Sequence, residues 1–488
     1  MLSHAYTHWA VYPNITKMTD ASSLQKSTSP LKGCIIALAA FLLILFLPVS
    51  DSLSTEGHRL MALTVACLIL WITEALPIPV TSILALAGQA LVGSATIREA
   101  TNNFISPVFF FVLAMFLFAA AVRQTNLDSR FAHWLLSKSG TNTRKILLAF
   151  MIGTAVVSSI MSDVPACALW MALALGILQR ENLQPGSSNF GKVLMLGVTI
   201  AAFIGGIATP AGSSINIMGL VMLADLGGGE VPFLKWMAIG IPMVVFLIPI
   251  SWFVLLKFFP PEISNISENV DEREASKTPF AVEQKKVMAI FGIVIILWIL
   301  SNWFPKALDV TMIALIGSVF LFLPGIGVSK WKDASKSIGW DILLMIGAVT
   351  SIGLASRDTG LASWAVSSIF NGADGIGVVW LIIAISTITV LIHFVVPIGP
   401  VVNAVMIPPI VALAIAIGQP PLLLVLPVIF TASCAFLLPL DAVALITYSK
   451  GYYRMTDMLW PGLVISVFWV IVLTALMLVV VPLLGLVP

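Results

Sequence analysis

The chain is 488 residues long, 59% of them hydrophobic and only 10% charged, with a mean hydropathy of +1.04. That balance excludes a water-soluble globular protein, and repeated apolar runs of roughly 17–25 residues exclude a single membrane anchor. The formal net charge of +2 says nothing about partners; the placement of the charges says more.

In chain order, residues 1–32 read as a Ser/Thr-rich cytoplasmic tail with no cleavable signal. A first half, 33–257, carries predicted spans near 33–50, 59–76, 78–95 and 106–123. It continues with a re-entrant hairpin near 145–178, opening from the cytoplasm, a broken span near 192–225 and a span near 233–257. A polar stretch, 258–285, reads as an exposed cytoplasmic linker. The second half, 286–488, has spans near 286–304, 309–326 and 339–356, then an outward-opening hairpin near 376–416. A broken span near 420–449 and a last span near 459–486 complete it. The hairpin arms hold only about 14–18 apolar residues around a central break, which suits a re-entrant segment better than a crossing.

With the amino terminus in the cytoplasm, Arg59, Arg98, Lys235, Lys306 and Arg357 fall outside. The other 20 of the 25 Lys and Arg residues fall inside. The asymmetry satisfies the positive-inside rule and supports about 11 transmembrane helices plus two hairpins, with an extracellular carboxyl terminus. Arg123-Gln124-Thr125-Asn126-Leu127 and Arg357-Asp358-Thr359-Gly360-Leu361 each end a span and precede an amphipathic stretch. The matching order of hairpin and broken span after each implies two inverted repeats.

Each half thus carries paired interruptions. In the first they are Met161-Ser162-Asp163-Val164-Pro165 and the run from Gly205 to Asn216. In the second they are Pro397-Ile398-Gly399-Pro400 and the run from Ser433 to Asp441. Unpaired backbone groups cost several kcal/mol each in lipid, so such breaks survive only around a protein-lined cavity. Paired breaks in two membrane halves mark a transporter's binding site. Cys34, Cys67, Cys167 and Cys434 lie in apolar segments without metal-ligand or disulfide spacing and read as small buried side chains. The absence of a P-loop disfavours an ATP-driven pump, and nothing indicates an enzyme or a nucleic-acid partner.

Three segments resemble one family. They are Thr73-Glu74-Ala75-Leu76-Pro77-Ile78-Pro79-Val80-Thr81, the glycine-rich run Ile204 to Asn216, and Ser433-Cys434-Ala435-Phe436-Leu437-Leu438-Pro439. Together with the hairpin order, they resemble the divalent anion/sodium symporters, which carry dicarboxylates, citrate or sulfate. The resemblance covers about residues 33–488. It implies an all-α polytopic homodimer in the cytoplasmic membrane, with the early spans as scaffold and the hairpins and broken spans moving as an elevator. Two departures stand out. The family's S-N-T at the first tip corresponds to Ser162-Asp163-Val164, and at the second to Ile398-Gly399-Pro400, which lacks hydroxyl and amide side chains. The T-P-P-N after the second break is replaced near Asp441-Ala442-Val443-Ala444.

The expected substrate set is Ser162, Asp163, Thr209, Gly212, Ser213, Ser214, Asn216, Gly399, Pro400 and Asn403. The expected cation set is Ser162, Asp163, Gly205, Gly206, Thr209, Ser433 and Asp441. Glycines let backbone approach a ligand, Pro210 stops the helix, and freed carbonyls offer hard oxygens to a cation. The helix restarting near Ser213 points N–H groups at an anion. No Lys or Arg is placed at mid-depth, so helix ends, hydroxyls and a bound cation must hold the anion. Asp163 and Asp441 are the mid-depth carboxylates, and each either handles a cation or proton or caps a helix. His393 reads as a packed residue or a titrating one, and Asn403 as the amide the second tip lacks. Glu74 reads as a turn residue. The expected function is secondary active transport of a di- or tricarboxylate with sodium or protons, sodium being favoured and no other cofactor implied. Carboxylate exchange, sulfate or oxyanion transport, and a channel or non-transporting sensor are the alternatives.

Overall fold

The computed structural model describes residues 30–47, 53–267, 279–301, 303–304, 307–369, 376–394, 396 and 398–486. The amino-terminal tail up to residue 29, the middle of the linker and Pro397 at the second tip lie outside the described residues.

The described chain is helical almost throughout. In order the helices are α1 (Pro30–Phe46), α2 (Thr55–Thr73), α3 (Ile78–Val92), α4 (Ile97–Phe104), α5 (Pro107–Gln124) and α6 (Leu127–Ser139). Then come the arms of the first hairpin, α7 (Thr143–Met161) and α8 (Asp163–Arg180), the first broken span, α9 (Asn189–Gly206) and α10 (Ser214–Asp225), and α11 (Phe233–Phe258). The second half has α12 (Val282–Ser301), α13 (Val310–Phe320), α14 (Trp331–Ala334), α15 (Trp340–Asp358) and α16 (Leu361–Ile369). It continues with the second hairpin, α17 (Val378–Ile392) and α18 (Gly399–Ala416), the second broken span, α19 (Pro421–Ala432) and α20 (Ala442–Tyr448), and α21 (Met455–Leu483). Among the described residues, nine helical stretches are long and apolar enough to cross a membrane, and six apolar helices are shorter. The element order from α5 to α11 recurs from α15 to α21.

Local chemistry sets the boundaries. Thr96 and Glu99 form a reciprocal capping box at the start of α4. Asn142 starts α7 by accepting from the Arg144 and Lys145 N–H groups at 3.1 and 3.3 Å. Glu74 ends α2 in the left-handed conformation, φ 48°, its N–H donating to the Trp71 carbonyl. That is the turn role expected for it.

The helices pack in two groups. In one, α2, α3, α4 and α15 pack together, and α5 packs on α13 and α15. In the other, both hairpins and both broken spans interlock, with α11 and α21 against them. Trp170, Trp236 and Trp469 fill the second group and Trp71 and Trp298 the first, all fully buried. At this size, each indole contributes burial worth several kcal/mol on truncation.

The linker differs from expectation at its start. Residues 260–267 strap the open end of the first hairpin instead of lying free. Thr143 N donates to Ser264 O at 3.0 Å, and Ile266 N to Thr141 O at 2.9 Å. Glu262 accepts from the Phe190 N–H at 2.8 Å, and Ser267 N donates to Glu181 at 2.9 Å. Polar composition predicted exposure, and most of these residues are exposed, but several of their polar groups also pair three helix ends.

Candidate functional site

The first hairpin turns at a single residue. Ser162 has φ 85° and ψ 153°, a region essentially reserved for glycine and costing about 1–3 kcal/mol elsewhere. Its hydroxyl donates to Asp163 Oδ1 at 3.0 Å, and the Val164 N–H donates to the same oxygen at 2.9 Å. Asp163 opens α8 and is buried. Pro165 falls in the first turn of α8, where its missing N–H costs little.

The first broken span lies against that arm. A Cβ on Gly205 would come within 2.3 Å of the Ala155 Cα and carbonyl oxygen, and one on Gly212 within 2.5 Å of Gly206 O. Only glycine lets α9 touch α7 and lets the break fold on itself. Thr209 Oγ1 donates to Ser159 O at 2.7 Å. A short 3-10 turn, Pro210–Gly212, leads to Ser213, whose hydroxyl caps α10.

The freed carbonyls are not bare, which departs from the sequence expectation. Asn216 Nδ2 donates to Gly206 O at 2.8 Å and to Thr209 O at 3.2 Å, and Trp236 Nε1 donates to Ile207 O at 2.8 Å. Asn216 Oδ1 accepts from Ser433 Oγ at 3.2 Å. Asn216 is fully buried, so its amide braces the break in this conformation. Asn216→Ala is therefore expected to strand these buried groups and lower stability by about 1–3 kcal/mol. Thermal denaturation of the purified protein checks this; an unchanged melting temperature refutes the bracing role.

In the second half, a Cβ on Gly399 would meet Ala432 O and the Ile215 side chain, each at 2.5 Å. The second tip thus seats against both breaks. Asn403 Nδ2 donates to Ile215 O at 2.8 Å, and its Oδ1 is buried without a partner among the described residues. The ring nitrogens of buried His393 lie 2.8 Å from Thr389 O and 3.2 Å from Ala432 O, so the packed reading describes it. Asp441 is the N-cap of α20, accepting from Val443 N at 2.8 Å.

Asp163 opens α8 and Asp441 caps α20, and these two helices, one from each half, pack together, so that the Asp441 carboxylate lies in the field of Asp163. Both also act on the Cys167 and Cys434 thiols. Neither takes part in the ion pairs seen among the described residues, which are Arg180–Glu181, Lys192–Asp457, Lys336–Asp333 and Arg357–Asp358. A buried carboxylate, Asp163, and a half-buried one, Asp441, without a basic partner among the described residues call for a cation or a proton. A buried chain runs on from them: Cys167 Sγ donates to Val443 O at 3.4 Å, Thr199 and Thr447 hydroxyls meet at 2.5 Å, and Tyr453 reaches Thr447 at 3.0 Å.

A small cavity opens beside the first tip. Ser162 and Ser214 line it, together with Met115 and Phe116 of α5 on the opposite side. The amino ends of α8 and α10 therefore meet at one cavity, a setting that favours an anion. Around this point the structure gathers Ser162, Asp163, Gly205, Gly206, Thr209, Gly212, Ser213, Ser214 and Asn216. Gly399, Pro400 and Asn403 do not line the cavity. The α5 wall and Trp236 were not foreseen, since neither carries a break or a polar motif.

Comparison with known proteins bears on this site. The sodium:sulfate symporter transmembrane region model matches residues 29–487. The chain is 29% identical over 484 residues to the sodium-dependent dicarboxylate transporter SdcS of Staphylococcus aureus strain MRSA252, covering 93% of this chain and 91% of that protein. The SdcS of strain bovine RF122 matches to the same extent. Among solved structures, Neisseria gonorrhoeae MtrF, described as illuminating a class of antimetabolite efflux pumps, aligns with a TM-score of 0.53 at 15% identity. That alignment covers 93% of this chain and 95% of MtrF. The Alcanivorax borkumensis YdaH transporter aligns at 0.54 and 13% identity, covering 92% and 97%. At those identities the two structures speak for the fold alone. With the family model spanning nearly the whole helical chain, the protein belongs to the sodium:sulfate symporter transmembrane family, the divalent anion/sodium symporters.

Proposed function

We propose that the protein moves a small dicarboxylate across the cytoplasmic membrane together with sodium. The observation that carries this reading is the point where two helix amino ends, two serine side chains and an apolar wall meet beside Asp163, around a cavity of about 20 Å³ that must widen to admit a substrate. One carboxylate of the substrate sits at the Ser162 and Ser214 end, where it competes with Asp163 for the Ser162 hydroxyl and the Val164 N–H, so a cation on Asp163 must free these donors. Its carbon skeleton lies against Met115 and Phe116. A compact oxyanion such as sulfate gains nothing from that wall, since buried oxygens facing apolar carbon lose water without replacement.

The coupling ion sits between Asp163 and Asp441. The carbonyls of Gly205, Gly206, Ile207 and Thr209 already accept protein donors, which leaves the two carboxylates as the strongest hard-oxygen ligands nearby. Sodium is favoured over the proton because the curated relatives are sodium-dependent dicarboxylate transporters. The halves are inverted with respect to each other, the amino terminus is cytoplasmic, and the hairpins and broken spans travel as one body within a homodimer.

The test is uptake of labelled succinate into proteoliposomes under an imposed sodium gradient. Uptake is expected to need inward sodium and to resist a tenfold excess of sulfate. Uptake unaffected by sodium and driven by internal carboxylate would instead establish exchange, and equal competition by sulfate would remove the role of the apolar wall.

A further inference from the structure

The two helix groups meet along a seam. On the side of the first group, α15 lies along it, packing on α10 and α18 of the second. Much of the seam is apolar. Met115, Phe116 and Ala119 of α5 share one cavity wall with Met161, Ala211 and Ile217 of the second group. A Cβ on Gly353 of α15 would stand 3.2 Å from Met222 Cε of α10, so bare helix meets the tip of a flexible side chain. Apolar contact is non-directional and fixes no single register between two surfaces.

One turn further along both helices the contact changes character. Arg357 follows Gly353 by four residues and Asp225 follows Met222 by three, so each shares the face that meets the other helix. Arg357 Nη1 donates to the Asp225 carbonyl oxygen, and its charge acts on the Asp225 carboxylate. Asp225 is the last residue of α10, where a helix leaves carbonyls unpaired and its dipole is negative. A carboxylate at that end is unfavourable unless a cation answers it. The guanidinium answers carbonyl and carboxylate together. Arg357 is also tied to its own group: Nε donates to Asp358 Oδ1 at 2.9 Å, and the Thr359 carbonyl accepts from the Ser54 hydroxyl, at the head of α2, at 2.7 Å.

We propose, resting on the movement of hairpins and broken spans as one body, that Arg357 and Asp225 form a latch between the two groups. It holds the register seen here and opens when the groups slide. A charge-assisted hydrogen bond needs its atoms within about 3 Å, so a slide of one helical turn, about 5.4 Å, breaks it. Met222 over the same slide exchanges one apolar contact for another. Arg357 is half exposed, so salt reaches and weakens the latch.

Distances between the groups test it. Spin labels at exposed Gln179 of α8 and exposed Val319 of α13 report their spacing in nanodiscs without substrate. Wild type is expected to show two spacings, that of this structure dominating at low salt. Arg357→Gln is expected to lower the ratio of that population to the other about fivefold, the worth of one partly exposed charged contact. Asp225→Asn keeps the backbone carbonyl and loses the carboxylate, and is expected to lower the ratio less. In about 1 M salt, wild type should approach Arg357→Gln, which itself should not respond. If Arg357→Gln does not fold, Asp225→Asn and the salt response decide alone. An unchanged ratio in the variants, without a salt response in wild type, overturns the latch. One fixed spacing in wild type overturns it together with the movement beneath it, whereas two spacings of unchanged ratio overturn the latch alone.

Discussion

Asp163→Asn is expected to weaken the apparent sodium affinity of uptake more than a hundredfold. Removing one charge from a buried ionic site costs about 3–5 kcal/mol, and each 1.4 kcal/mol is about tenfold. The asparagine can still accept the Ser162 hydroxyl and the Val164 N–H seen on Asp163 Oδ1, so the hairpin turn should persist and purified protein should remain monodisperse. Proteoliposome uptake under imposed sodium or proton gradients reads the effect. Asp441→Asn provides the comparison. If both carboxylates hold one ion, the double variant should cost little more than either single one, because interacting sites are not additive. Should wild type and Asp163→Asn respond identically to both gradients, Asp163 is a helix-start residue with no part in coupling.

Gly205→Ala is expected to give little or no folded protein. The added carbon would lie 2.3 Å from backbone atoms of Ala155, which cannot rotate away as a side chain can. Overpacking typically costs 1–3 kcal/mol when neighbours can yield; here two helix backbones would have to separate. Against a total stability of about 5–15 kcal/mol, that is a large fraction. Gly176→Ala is the matched control: its Cβ meets nothing within 4 Å, and helix propensity alone should make it neutral or slightly stabilising. Fluorescence-detected size exclusion separates the two outcomes, and a monodisperse, wild-type-like peak for Gly205→Ala would show that α9 and α7 are less tightly apposed than described.

Much of this fold was legible in the residues because membranes punish irregular backbone. Ser162 to Pro165 could not continue a helix in lipid, and the chain does turn there; the glycines from 205 to 212 likewise announced the break. The recurrence of an Arg-ended span before an amphipathic helix at Leu127 and Leu361 reappears in the order of elements. What was not legible was the fate of the carbonyls those breaks release. It depends on which donors a distant helix swings toward them, and Trp236, on α11, gives no sign in sequence that its indole N–H ends on Ile207 O. Asn216 was read as a ligand to the anion because an amide near a break suits that role; in this conformation its amide is spent on the backbone and on Ser433, which no pattern in the sequence announces. The strap at 260–267 escaped notice for a similar reason, since composition records polarity and not whether its partners are water or three helix ends.

The stitching between the two breaks has a mechanical meaning. Asn216 holds Ser433, Asn403 holds Ile215, Thr199 meets Thr447, and the rings of Trp236 and Phe430 stack at 3.9 Å. Four segments from opposite ends of the chain are thereby bonded to one another in this conformation. If these bonds persist through the transport cycle proposed above, that cycle reduces to how one solid translates and tilts. Spin labels placed on α8 and α20 should keep one fixed separation throughout turnover, while either one against α13 should not.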